Sequence, residues 1–193
     1  MNKVIDNVTV VITTFLSGVN LEICLKNIPD YFQKLIIDNG NEKDKKEYFE
    51  NKFKNLNYHL SPENLGVPRS YSLANTLVKT KYMFNTQPDV IVKKNCIETL
   101  MKKIPLYENA IILSPTIFHN GNYHVDGDFK ILKIRNKKFY NVKNFVFNAV
   151  HNHPPQGDFS VEAVTGTAML IDREKLKTID DWDKNIFNYF EDM

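Results

Sequence analysis

SPENLGVPRSYSLANTLVKTKYMFNTQPDVIV, residues 61–92, holds in one run a turn, a helix, a short apolar strand and an acid just past the strand's end. Gly66 allows a tight turn, and Pro68 suits a first helical turn. Val67, Tyr71, Ala74 and Leu77/Val78 recur at helical spacing and predict one apolar face. Tyr82 to Phe84 predicts a buried strand, Asn85 to Asp89 its exit loop, and Val90 to Val92 renewed extended chain. Open α/β sheets bind ligands at the carboxyl ends of their strands. Asp89 stands at such an end, with Arg69 in the first turn of the preceding helix and Asn75 further along it.

Outward from this stretch the same alternation repeats. Val8 to Ile12 is a continuous β-branched run, the pattern of a strand covered on both faces. Thr13, Thr14 and Phe15 close it, and Gly18 marks a turn. Asn20 is read as the N-cap of a helix over Leu21 to Ile28, which Pro29 ends. Leu35 to Ile37 is a second strand with the loop Asp38-Asn39-Gly40-Asn41 behind it. A lysine-rich helix with Tyr48, Phe49 and Phe53 inward leads to a third strand, Asn57 to Leu60. Beyond residue 92, Ile97, Leu100, Met101 and Ile104 predict a helix stopped by Pro105, and Ile111 to Leu113 a strand. Four or five strand–helix alternations in residues 1–115 predict a doubly wound, mostly parallel α/β sheet.

Residues 116–193 are less regular. Tyr123 to Val125 and Phe129 to Ile134 predict a hairpin on an Asp126-Gly127 turn. Val161 to Ile171 predicts a strand kinked at Gly166, and Arg173 to Leu176 a short helix. His151 and His153 fall in a Pro-flanked loop and read as exposed rather than as metal ligands; Trp182 reads as core. The close, NIFNYFEDM, puts an aromatic cluster beside two acids, which reads as a chain cut within a longer one.

The 193 residues are 42% hydrophobic, enough for one domain over 1–193 and too few for two. With 25 Lys+Arg against 23 Asp+Glu, nothing in the charge points to nucleic acid. Cys24 and Cys96 lack CxxC spacing and read as reduced, buried thiols. No apolar run approaches the ~20 residues of a spanning helix, so the expected place is the cytoplasm, with peripheral contact at the inner face of the membrane allowed.

An alternating α/β chain invites a dinucleotide or P-loop reading. Neither GxGxxG nor GxxxxGK[ST] occurs, and seven glycines leave little for a phosphate-cradling loop. Thr13 to Gly18 holds no Lys or Arg, which argues against a nucleotidyltransferase. Phosphates would then be neutralised by a divalent cation on a strand-end acid; the candidates are Asp38, Asp89 and Glu191-Asp192.

Four segments, in order, carry a resemblance. VTVVITTF (8–15) resembles a first strand, and LIIDNG (35–40) resembles "VVDNGS". Asn64-Leu65-Gly66 with Asn75 and then Gln87-Pro88-Asp89-Val90 resembles "NxG…N…NPDV". VTGTAMLIDR (164–173) followed by FNYFED (187–192) resembles "SGAxMLxRR…FFxYFED". Together they resemble the family 2 glycosyltransferases of the GT-A (nucleotide-diphospho-sugar transferase) fold, in their rhamnosyltransferase-like branch.

The resemblance implies a nucleotide-diphosphate sugar donor, with rhamnose the sugar of that branch, and a glycan or lipid-linked saccharide acceptor of the cell envelope. Thr13, Thr14, Phe15 and Asp38 would line the base pocket, Asp38 accepting from the base N–H. Asn64, Gly66, Arg69, Asn75 and Gln87 would lie by the diphosphate or sugar. Asp89 would hold Mg²⁺ or Mn²⁺, Gly166 and Thr167 would face the acceptor, and Asp192 (or Glu191) would be the general base of an inverting displacement. The sequence departs from the pattern at Gln87, which leaves one acid in the metal motif, and at residues 178–183, which stand where the family has "GGFDE" before the terminal motif and lack its glycines. A nucleotide-sugar-binding module without turnover is the alternative.

Overall fold

The computed structural model describes residues 5–119, 122–124, 157–158, 160, 164–177, 182 and 185–187. Strand β1 (Val8–Thr14) is the centre of a six-stranded sheet. It leads through α1 (Gly18–Lys26) to β2 (Gln33–Asp38), through α2 (Lys43–Lys52) to β3 (Leu56–Leu60), and through α3 (Gly66–Leu77) to β4 (Tyr82–Thr86). Then come α4 (Cys96–Lys103), β5 (Ile112–Leu113), a two-stranded hairpin of β6 (Ile117–His119) and β7 (Asn122–His124), β8 (Ala168–Asp172) and α5 (Arg173–Leu176).

The sheet order is β3-β2-β1-β4-β8-β5. β1 to β4 are mutually parallel, while β8 runs antiparallel to both β4 and β5. The chain winds outward from β1 to β3, then returns to β1's other side as β4. That reversal is a topological switch point, and it opens a crevice at the carboxyl ends of β1 and β4. The doubly wound, mostly parallel expectation therefore holds.

Both faces of the sheet are covered. One cluster joins Val10, Ile12, Ile36, Phe84 and Leu170 to α1 (Leu21, Cys24, Leu25), to Phe49 of α2 and to Ile97, Leu100 and Met101 of α4. The other joins Val11, Leu35, Ile37, Met83 and Ile171 to Tyr71 and Ala74 of α3. The two-residue period of the strands thus sends Val11 and Ile12 to opposite layers. α2 buries only Phe49, and its exposed side is supported by pairs such as Lys46–Glu50 at 2.9 Å, worth about 0.2–0.5 kcal/mol each.

The structure corrects several expectations. α1 begins at Gly18, so Asn20 lies inside the helix; Ser17 occupies the cap. Tyr48 is exposed and donates to Glu22, because one apolar face of α2 suffices. Leu77 is likewise largely exposed, and Val78 takes the inward position at the end of α3. Val90 to Val92 form no strand: Gln87 to Val90 turn, with Val90 N–H donating to Gln87 O at 3.2 Å. Within 164–171 only residues from Ala168 on are strand, Gly166 and Thr167 forming the turn before it. A hairpin pairs Tyr123 with Phe118, whereas the expected Asp126-Gly127 turn and the strand Phe129 to Ile134 lie outside the described residues. Cys24 and Cys96 are both free, though Cys96 is only half-buried. Among the described residues no helix is long and apolar enough to cross a membrane.

Candidate functional site

The carboxyl edge of the sheet gathers most of the candidate residues. Thr14 pairs with Asp38 in the β1–β2 register, and Ile12 pairs with Thr86 in the β1–β4 register. The turn carrying Gln87 and Asp89 therefore lies beside the Thr13–Phe15 end of β1. From the other side, antiparallel β8 delivers its start to the same edge: Thr86 pairs with Ala168, and Thr86 Oγ1 donates to Thr167 O at 3.1 Å. Gly166 and Thr167 thus stand next to the Gln87–Asp89 turn, although about 80 residues separate them in sequence.

Asp89 itself is exposed. Burial pushes the Cys24 thiol up to about 12, and the Asp89 charge adds to that. Phe15 is half exposed at the end of β1 and offers an aromatic face. Thr13 Oγ1 and Thr14 Oγ1 are buried without a hydrogen-bond partner among the described residues.

Asp38 is fully buried. Its Oδ1 accepts from Gly40 N–H and its Oδ2 from Glu42 N–H, both at 2.8 Å. In this arrangement Asp38 shapes the loop after β2, beside the Thr14 end of β1. The Tyr58 hydroxyl is held protonated by burial first and by the Asp38 charge second.

The Asn64–Gly66 loop is tied from below by Asn39, a role sequence reading missed. Asn39 Nδ2 donates to Ser70 Oγ at 3.0 Å, and Asn39 Oδ1 accepts from Leu65 N–H at 3.3 Å. Asn64 Oδ1 closes the turn by accepting from Gly66 N–H at 3.0 Å. Asn39 stands beside Asp38 in the quoted LIIDNG segment, so the signal was a buried amide where a loop was read. Arg69 also serves this loop: Nε donates to Leu65 O at 2.9 Å, Nη2 to Asn64 O at 3.3 Å and Nη1 to Glu63 Oε1 at 3.0 Å.

Asn75 is not at the crevice. It sits near the C-terminal end of α3, at the amino edge of the strands, where its Oδ1 accepts from Arg173 Nε at 2.8 Å. The same guanidinium donates to Asn75 O, while Arg173 N–H donates to Lys81 O at 3.1 Å. The expected place by the diphosphate is therefore corrected: α3 runs back along the sheet and carries Asn75 away. Glu191 and Asp192 lie outside the described residues.

Asn85 is a second residue missed in sequence. It lies in β4 between Val11 and Met169, fully buried, and neither amide atom has a partner among the described residues. A buried orphan amide costs about 1–3 kcal/mol. Asn85→Leu is expected to raise unfolding free energy by about that amount. Urea unfolding checks it; an equal loss would mean that an internal water satisfies the amide.

A groove of about 410 Å³ opens between α1 and α2, lined by Leu16, Val19, Lys45 and Tyr48 among others. Asp89 does not line it, so it is not by itself the donor site.

The glycosyl transferase family 2 model matches residues 9–178. The chain belongs to this family. Solved structures of similar fold include a mannosyltransferase from Pyrobaculum calidifontis in complex with GDP-Man and Mn²⁺, 13% identical, with a TM-score of 0.59 over 93% of this chain and 48% of that one. TarS residues 1–349 of S. aureus in complex with UDP gives a TM-score of 0.64 at 14% identity, over 96% and 52% of the two chains. The same TarS fragment in complex with UDP-GlcNAc gives 0.60 at 14% identity, over 92% and 48%. The fold is GT-A, and the family 2 chain spans about half the length of these neighbours. No curated protein matches it in sequence.

Proposed function

We propose that this family 2 chain is a glycosyltransferase domain that moves a sugar from a nucleotide-diphosphate donor to a hydroxyl of a glycan or lipid-linked saccharide. The observation that carries the reading is the switch-point crevice, where Asp89 follows β4 and the Gly166–Thr167 turn is brought across from β8. The structural neighbours bound to GDP-Man, UDP and UDP-GlcNAc support a nucleotide-sugar donor. The rhamnosyl donor rests on the quoted motifs.

Among the described residues no group of three His, Cys, Asp or Glu gathers. One exposed carboxylate still fits Mg²⁺ or Mn²⁺, which take one or two carboxylates and complete their shell with phosphates and water. Asp89 would hold the ion, with Gln87 beside it. Bound there, the ion would offset the charge that builds on the departing diphosphate.

The chain's own residues would do the rest. Phe15 offers its ring to the base at the end of β1. The exposed Arg69–Glu63 pair is worth only about 0–1 kcal/mol. Exchanging Glu63 for a diphosphate is therefore cheap for Arg69. Asp192 takes the acceptor's proton as that oxygen bonds to the anomeric carbon and the bond to the diphosphate breaks, which inverts the configuration. Thr167 lies where an acceptor would approach.

Titration of UDP, GDP and dTDP with Mn²⁺, followed by calorimetry, tests the donor site. The unmodified chain is expected to bind one of them only with Mn²⁺, and Asp89→Ala to weaken that binding at least tenfold. Unchanged binding in Asp89→Ala would remove the metal role. Binding with no turnover of any nucleotide sugar would favour a binding module, a reading that Gln87 in the metal motif already supports. The same nucleotides at 100 times their Kd should add about 2.7 kcal/mol to stability in a thermal-shift screen.

A further inference from the structure

The C-terminal part of the chain holds α3 at three points along its length. At the N-terminal end, Val67 N–H donates to Phe187 O at 3.0 Å. One turn on, the Tyr71 ring meets Trp182 edge-on with centroids 5.4 Å apart, and its hydroxyl donates to Gly166 O at 3.2 Å. Near the other end, Asn75 takes Arg173 Nε at 2.8 Å.

The first contact differs from the other two in what it requires. Gly66 has φ +68°, and a Cβ there would stand 2.1 Å from Phe187 O. No side chain fits, so the glycine keeps the space that the Phe187 backbone occupies. The Phe187 ring is 56% exposed, so ring burial contributes little to the contact and the backbone hydrogen bond does more. First-turn amides of a helix have no intrahelical partner, and here a carbonyl from 120 residues away supplies one.

We propose that Gly66 and Val67 are positioning residues that seat Phe187 on the N-terminus of α3 and thereby anchor the chain that continues to Asp192. Gly66 thus serves chain packing rather than donor contact. Five residues of chain, a reach of at most about 18 Å, separate Phe187 from Asp192. The proposal rests on the reading in which Asp192 is the base.

The contact is tested apart from activity by amide exchange in the unmodified chain, read by NMR. Val67 N–H is expected to exchange at least tenfold slower than in a free peptide; exchange at the free-peptide rate overturns the contact. Val67→Pro then removes that one donor, and proline is tolerated in a first helical turn. The variant is expected to keep the emission of Trp182, the sole tryptophan, and to bind UDP or GDP with Mn²⁺ within twofold of the unmodified chain. Its kcat on whichever of UDP-GlcNAc, GDP-mannose and dTDP-rhamnose the unmodified chain turns over should fall at least tenfold. Unchanged kcat, or nucleotide affinity falling in step with kcat, overturns the positioning role. If the unmodified chain turns over none of the three, the enzyme reading fails and the positioning role with it, while Val67 exchange still decides the contact. Should Val67→Pro lose Trp182 emission, Phe187→Gly supplies the second test. It leaves the carbonyl but loosens its backbone, and the same kcat loss at constant affinity is expected; an unchanged kcat overturns the role.

Discussion

Asp192→Asn is expected to lower sugar transfer by about 10²–10⁴-fold, the usual contribution of a positioned general base. Nucleotide affinity should stay within twofold, because the base acts on the acceptor and not on the donor. Glu191→Gln is expected to cost less than tenfold. Steady-state kcat with a saturating donor, beside calorimetric Kd for the nucleotide, separates the two effects. Among the described acids at the carboxyl edge, Asp38 is buried and committed to two amides, and Asp89 is the residue proposed for the cation. Activity that survived Asp192→Asn would therefore redirect attention to Glu63, which is exposed and, among the described residues, pairs with Arg69 at 3.0 Å.

Asp38→Ala is expected to be the most destabilising single change at the edge, at about 3 kcal/mol. Hydrogen bonds to a charged acceptor contribute about 1.5–3 kcal/mol each, and Asp38 takes two. For a chain of this size that corresponds to roughly 6–12 °C in Tm. Asp38→Asn keeps one acceptor and should lose about half as much. Urea unfolding should show a lower midpoint at unchanged slope. A loss under about 0.5 kcal/mol, typical of an exposed site, would mean that the loop after β2 is held by other contacts.

The two layers of this domain were legible in the sequence for a simple reason. Val8 to Ile12, Leu35 to Ile37 and Tyr82 to Phe84 are short apolar runs between amphipathic helices, and only a sheet covered on both sides buries such runs. The strand-end candidates followed from the same alternation, since a residue just past a strand must stand at the sheet's edge. Asn75 was misplaced because a helix carries its residues away from the edge at 1.5 Å apiece, and motif order does not encode that distance. Asp38 was legible as a strand-end acid, but a sequence does not show which carboxylates also hold backbone amides. Tyr48 was placed inward since periodicity marks a face without saying how wide a strip its neighbours cover.

By itself, then, the chain determined a parallel α/β sheet, the absence of a glycine phosphate loop, and an acid after the fourth strand. Those depend on local spacing and composition alone. The tertiary structure decided that β4 returns to the far side of β1, that β8 brings Gly166 and Thr167 to Asp89, and that Phe187 closes on Gly66. Each of these joins residues about 75 to 120 positions apart, and no local pattern in the sequence carries a contact at that separation.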